Sequence, residues 1–233
     1  MSKKASPGQR HSVITNLLFN IIIPTLILTK LSKAEYLGAH YSIVVALAFP
    51  IAFGIYDFIK VGKANLFSIL GFISILLTGG ISLLELDAKY IAIKEAAIPG
   101  IIGLAVLLSQ YTRYPLIRTL LLNEEFINVQ KIDASLEQRA NRSDFNRALT
   151  RANYLVAASF FLSSALNYGL AKYLLVSPPG SEAYSAELGR MTALSFPVIA
   201  LPCTLFMMAS LYYLVSQIKK LTALELEEIL HVK

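Results

Sequence analysis

Six apolar blocks, each about as long as the ~20 residues a helix needs to cross hydrocarbon, set the terms for this chain: Ser12–Leu31, Tyr36–Ile59, Ala64–Glu85, Lys89–Tyr111, Ala152–Val176 and Met191–Ile218. Their apolar residues come in continuous runs rather than at helical or strand spacing, so no block has a water-facing stripe. In hydrocarbon every backbone N–H and C=O must be satisfied within the protein, and runs of this length do so as helices. The expectation is an all-α fold, a polytopic membrane helical bundle of six transmembrane helices. A composition of 55% hydrophobic and 15% charged residues agrees. The net charge of +6 raises nucleic acid as a partner, but the charges sit in alternate loops rather than on one patch, and nucleic acid is set aside.

Charge also gives an orientation. With the N-terminus inside, cytoplasmic segments hold fifteen of the 21 Lys and Arg residues; Lys30, Lys33, Lys89, Lys172 and Arg190 lie opposite, and Lys94 lies within a span. The topology is N-in/C-in. Met1–His11 is basic and precedes an apolar run longer than a signal-peptide core, with no small-x-small cleavage site, so the first block reads as a retained helix. Thr112–Arg151 is the long polar segment. Within it Tyr114–Leu122 is half apolar and half basic, as a helix lying in the membrane interface would be, and Ser143 is placed to cap a helix running into the fifth span. Leu221–Lys233 reads as an amphipathic cytoplasmic extension of the sixth helix.

Polar groups inside the spans are the candidates for function. Asn16, Asn20 and Pro24 are four apart and share a helix face. Asp57 ends the second span close to Lys60 and Lys63, which would keep it charged at the interface. Ser68, Gly71, Ser74, Thr78 and Ser82 recur at spacings of three and four on the third span and read as a packing seam. Lys94 and Glu95 interrupt the fourth span. Lys94 lies only ~8 Å below the start of that helix, shallow enough to snorkel outwards. Glu95 is about 100° round the helix from it, so Glu85, across the tight turn Leu86–Lys89, is the partner proposed for Lys94. The fifth span adds Asn153, Ser159, Ser163, Ser164, Asn167 and Lys172, and a loop is expected over Ser177–Arg190. Pro24, Pro50, Pro99, Pro197 and Pro202 fall near the centres of four spans, where interrupted helices build substrate sites in many transporters.

No catalytic constellation accompanies these groups. His11, His40 and His231 lie at segment ends, Cys203 is the lone cysteine, and Gly79-Gly80 lacks the strand, helix and lysine of a phosphate-binding loop. The expectation is a protein that is not an enzyme and has no metal and no cofactor.

Gly79-Gly80, then Lys94, then Ser109-Gln110, then Pro115-Leu-Ile117 resemble the hairpin of intracellular septation protein A, a small bacterial inner-membrane protein, with the same separations from the glycines to the lysine and from the lysine to Ser-Gln. Ile93 and Ala96 stand where that family usually has a tryptophan and a threonine, and the link to Pro115 is one residue shorter. The resemblance divides the chain into a septation-A-like four-helix membrane region (1–122), a basic cytoplasmic connector (123–151), a two-helix C-terminal membrane region (152–218) like that of a longer branch of the family, and the tail (219–233). It implies a multi-pass protein of the bacterial inner membrane that supports cell-envelope and septum synthesis. Its partners would then be membrane lipids and other inner-membrane envelope proteins. The alternative is a small secondary transporter or lipid-handling protein, its small-molecule or lipid ligand held at an intramembrane polar site around Lys94, Glu95 and the midplane prolines, Pro99 among them.

Overall fold

The computed structural model describes residues 13–61, 66–112, 116 and 127–229. Met1–His11 and all but Leu116 of the expected interfacial helix Tyr114–Leu122 lie outside them. The described elements are helices: α1 (Val13–Leu17), α2 (Ile23–Lys30), α3 (Gly38–Val61), α4 (Leu66–Leu83), α5 (Lys89–Ser109), α6 (Val129–Gln138), α7 (Arg142–Leu174), α8 (Glu182–Ser195), α9 (Leu201–Thr222) and the single turn α10 (Leu226–Ile229). Four stretches are long and apolar enough to cross a membrane: Gly38–Tyr56, Lys89–Ser109, Arg142–Leu174 and Glu182–Thr222. The first and third expected spans appear among the described residues as shorter apolar helices, Leu18–Lys30 and Phe72–Leu83. Only 17% to 28% of each long stretch is buried within the protein, so most of its apolar surface needs an apolar solvent. These are the helices of a membrane protein.

Two π turns, Leu18–Ile22 between α1 and α2 and Phe196–Ala200 between α8 and α9, join helices end to end. Proline explains both. It donates no N–H and its ring crowds the carbonyl four residues earlier, which for Pro24 is Asn20 and for Pro202 is Val198; each lies in the π turn, where the widened helix makes room. Pro50 and Pro99 sit inside unbroken α-helices.

The chain divides into two compact units that do not follow chain order, Met1–Ala96 with Leu166–Val198, and Ala97–Ala165 with Ile199–Lys233. In the first, α2 lies against α8 and α3, and α3 against α4, around Leu28, Ile43, Ile91, Tyr184 and Leu188. Two glycines set these approaches. A Cβ on Gly189 of α8 would stand 2.9 Å from Leu28 Cβ and Thr29 Cγ2 of α2, and one on Gly79 of α4 would stand 2.9 Å from Leu47 Cδ1 of α3. Gly80 has nothing within 4 Å. Gly80→Ala should therefore stabilise the protein by about 0.5–1 kcal/mol through helix propensity alone. Gly79→Ala should come out close to neutral, because the end of Leu47 can swing aside; thermal unfolding of the two variants side by side checks the contrast.

The segment expected as a loop over Ser177–Arg190 is mostly helix. Ser181 Oγ accepts from the Tyr184 N–H at 3.1 Å and starts α8 at Glu182, which is favourably placed at a helix N-terminus, and the helix runs on into the expected sixth span. Of the expected loop only Ser177, Pro178, Pro179, Gly180 (φ +79°) and Ser181 stay outside the helix.

In the second unit the polar connector and the tail close on each other rather than standing in solvent. Asn128 caps α6 by accepting from the Lys131 N–H, at 3.1 Å, and α6 buries Ile132 and Leu136 against Phe145 of α7 and Ile218 of α9. The sixth helix does not extend into the tail. Ala223 turns left-handed (φ 54°), and the chain folds back so that Ile229 is fully buried in the same cluster. Ser135 Oγ donates to Thr222 O (2.7 Å), Asn141 Nδ2 to Leu221 O (2.8 Å), and the Asn128 N–H to Ile229 O (2.8 Å). Lys131 pairs with Glu228 at 2.9 Å. The helix expected to start at Ser143 starts at Arg142, whose guanidinium meets Asp133.

The Lys131 ammonium, and after it the Glu225 N–H, hold the exposed Glu228 carboxyl below its ordinary value of 4.5. A depressed folded value means that the contribution is fully present above the unfolded value and is lost as pH falls through the folded one. Amide exchange protection over Leu224–Ile229 should accordingly persist on acidification to 4.5 and decline only below it.

Candidate functional site

The hairpin α4–α5 carries the polar centre of the first unit. Asp87 begins α5 by accepting from the Lys89 N–H (2.8 Å), which together with the Lys89 ammonium holds its carboxyl below the usual range. One and a half turns on, Lys94 is only 7% exposed. Its ammonium does not snorkel. It donates to Thr78 Oγ1 at 2.6 Å, to Ser74 Oγ at 3.1 Å and to Glu95 Oε1 at 2.6 Å, with Ser74 O at 3.4 Å. Four acceptors thus surround three protons, and Thr78 Oγ1 passes its own hydrogen to Ser74 O (3.0 Å). The Glu95 side chain, 26% exposed, completes the pair.

This corrects the expected pairing of Lys94 with Glu85. Two long side chains on successive residues can meet beside the helix although their Cβ atoms diverge by about 100°, whereas Glu85 is turned away by its backbone. It adopts a left-handed conformation (φ 53°), lays its side chain over Gly180 and pairs its Oε1 with His40 Nε2 at 3.0 Å. Ser74 and Thr78, read from sequence as packing groups, are ligands of the lysine, and His40 Nε2 meets the Glu85 carboxylate. The signal for the hydroxyls was in plain view: Ser74, Thr78 and Ser82 are four apart, so all three face one way.

Ser82 and Tyr184, both fully buried, set their hydroxyls beside each other, and neither has a further hydrogen-bond partner in the protein.

The second unit holds a separate cluster. Asn153 of α7, fully buried, donates through Nδ2 to Val106 O (3.0 Å) and Gln110 Oε1 (3.3 Å), satisfying the C-terminal turn of α5. Ser109 Oγ donates to Val106 O (2.7 Å) and accepts from the Leu116 N–H (3.0 Å). Ser109 and Gln110 therefore terminate a helix. Gly100 and Gly103 let α7 approach: a Cβ there would stand 3.2 Å from Ser164 Oγ and 3.1 Å from Phe160 Cβ.

Asn20 is half-buried in a π turn, Asn167 is half-buried on α7, Gly80 lines open space, and Pro99 lies within α5 in the second unit. The side chains of Asn16 and Asp57 lie outside the described residues. Compared with known protein families, characterised proteins and solved structures, the chain matches none.

Proposed function

We infer that this is a non-enzymatic multi-pass protein of the bacterial inner membrane, with six transmembrane helices and both termini in the cytoplasm, supporting envelope and septum synthesis through contacts with other membrane proteins. The observation that carries this reading is the saturated surround of Lys94. A lysine whose protons are all taken up by Ser74, Thr78 and Glu95 acts as a staple between two helices and has no donor left for a ligand. The hairpin's resemblance to the septation-A family supplies the envelope role.

Tyrosines support the placing in a bilayer. Tyr90 and Tyr111, at the two ends of α5, are about 32 Å apart along the helix, and Tyr154 and Tyr173 on α7 about 29 Å, each close to the hydrocarbon thickness of ~30 Å. All four are exposed, as residues of an interfacial aromatic belt are. On this register the first dozen residues of α7, together with α6 and the tail, stand in the cytoplasm.

The two π turns favour transport as a second reading, since interrupted helices near mid-membrane are how many transporters form their sites. A photo-crosslinking residue at the exposed positions Leu104 or Leu205, expressed in living cells, separates the two. The scaffold reading expects a discrete covalent adduct with a membrane protein of envelope synthesis. Adducts with lipid alone, together with a small molecule that native mass spectrometry finds on the wild type and not on Lys94→Met, would overturn it in favour of transport.

A further inference from the structure

We propose that the groove which α6 forms with α7 and α9, filled in this chain by its own tail, is a docking site for an acidic amphipathic segment of another protein, and that Leu224–Ile229 is a displaceable strap that keeps the site closed. This goes beyond the scaffold reading and does not rest on it, because groove and strap are both features of the second unit alone.

The strap shows what the groove accepts. The floor is apolar: Ile132 and Leu136 of α6, Phe145 of α7 and Ile218 of α9 are all buried in one cluster with Ile229 of the strap. The rim is cationic. Lys131 holds Glu228 at 2.9 Å and Lys219 holds Glu225 at 3.0 Å, and all four side chains are exposed in large part. When the strap leaves, both carboxylates leave with it. What remains is an apolar slot flanked by two ammonium groups, complementary to a segment that presents an aliphatic side chain beside carboxylates. The remaining tie, from the Asn128 N–H to Ile229 O at 2.8 Å, is to the backbone, so a segment of any sequence can supply it.

The hinge lets the strap go. α9 ends where Ala223 turns left-handed (φ 54°), a conformation disfavoured for alanine by roughly tenfold. Alanine is also the residue that most favours a continuing helix, and Leu224–Ile229 contains no glycine or proline to stop one.

The hydrogen bonds at the hinge exchange one for one. In a continued helix the N–H groups of Glu225 and Leu226 would reach Leu221 O and Thr222 O. With the strap folded back, those carbonyls accept instead from Asn141 Nδ2 (2.8 Å) and Ser135 Oγ (2.7 Å). The Leu224 N–H goes to Thr222 Oγ1 (3.2 Å) and the Glu225 N–H to Glu228 Oε2 (2.9 Å). Each arrangement satisfies the end of α9 and excludes the other, so the burial of Ile229 decides between them. A partner segment that fills the groove takes that burial from the strap, and α9 then runs on through it.

The test uses the full chain in lipid nanodiscs, with a heavy-isotope-labelled synthetic peptide of residues 224–233 as the probe. Amide exchange read by mass spectrometry separates chain from probe. Saturating peptide should strip protection from Leu224–Ile229 of the chain and leave Ile132–Leu136 protected, because the groove is refilled. Ala223→Gly relieves the left-handed residue and weakens the competing helix, so it should bind the peptide at least roughly tenfold more weakly than wild type. A Glu225→Gln/Glu228→Gln peptide should bind about threefold more weakly than the unaltered one. Strap protection unmoved by saturating peptide, equal affinity in wild type and Ala223→Gly, or indifference to the two glutamates would each overturn the proposal. So would a carbodiimide crosslink between Lys131 and Glu228 of differently labelled copies, which would give the groove to a second copy of this chain.

Discussion

Lys94→Met should lower the melting temperature of the purified protein by about 10 °C, the result expected for a loss of about 3–5 kcal/mol in a protein of this size. The magnitude follows from what the substitution leaves behind. The ammonium is 7% exposed and bridges α5 to two hydroxyls of α4. Removing it strands the Glu95 carboxylate in apolar surroundings and deprives Ser74 Oγ and Thr78 Oγ1 of their donor. Breaking a buried pair from one side is costly because the other charge remains, whereas removing both charges is often close to neutral. Lys94→Met/Glu95→Leu should therefore recover most of the loss. Thermal unfolding of the two variants and the wild type in the same detergent decides the matter. If the single substitution leaves stability unchanged or improves it, the lysine is held at a cost for some other purpose and the staple reading is wrong.

Gly189→Leu is expected to destabilise by about 3 kcal/mol, at the upper end of overpacking effects. Even a single Cβ at this position would stand 2.9 Å from two atoms of α2, and one of them, Leu28 Cβ, is fixed to its backbone. Neither helix can yield by a side-chain rotation, so α2 must move away from α8 and uncover Ile27, Leu28 and Leu188. Gly189→Ala should show a smaller loss of the same sign. Denaturation midpoints of both variants, measured with Gly79→Ala as a control whose obstructing atom is mobile, would test the ordering. A Gly189→Leu protein as stable as wild type would show that the α2–α8 crossing is looser than described.

The apolar runs made the helices legible, because continuous hydrophobicity over about 20 residues has few other solutions. What they could not convey was where a helix begins when its first turns are polar. The first turns of α8 include Glu182, Tyr184 and Ser185, which in isolation read as loop, and it took the Ser181 cap and the burial of Tyr184 against α2 and α3 to make them helical. The tail escapes the sequence for a related reason. A fold-back at Ala223 needs a left-handed residue, and alanine gives no hint of one as glycine would.

The polar site was half visible. Lys94 and Glu95 stand out against their span, and the spacing of Ser74, Thr78 and Ser82 puts their hydroxyls on one face, but spacing along one helix does not say which side chain of the neighbour meets that face. Glu85 is close to Lys94 across the tight turn in sequence, and spacing alone therefore selects it as the partner. Its backbone conformation points it to His40 and Gly180 instead, and that is decided by the turn as a whole rather than by any residue in it.

The clasp between α6 and the tail also has a consequence for biosynthesis. Lys131 and Glu228 are 97 residues apart, so at ordinary rates of translation α6 leaves the ribosome about 5–20 s before its cover exists. During that interval Ile132 and Leu136 present a sticky apolar face, a handle for chaperones and quality-control proteases. Arrival of Ile229 completes the cover, and a nascent chain that stalls on the way keeps that face open.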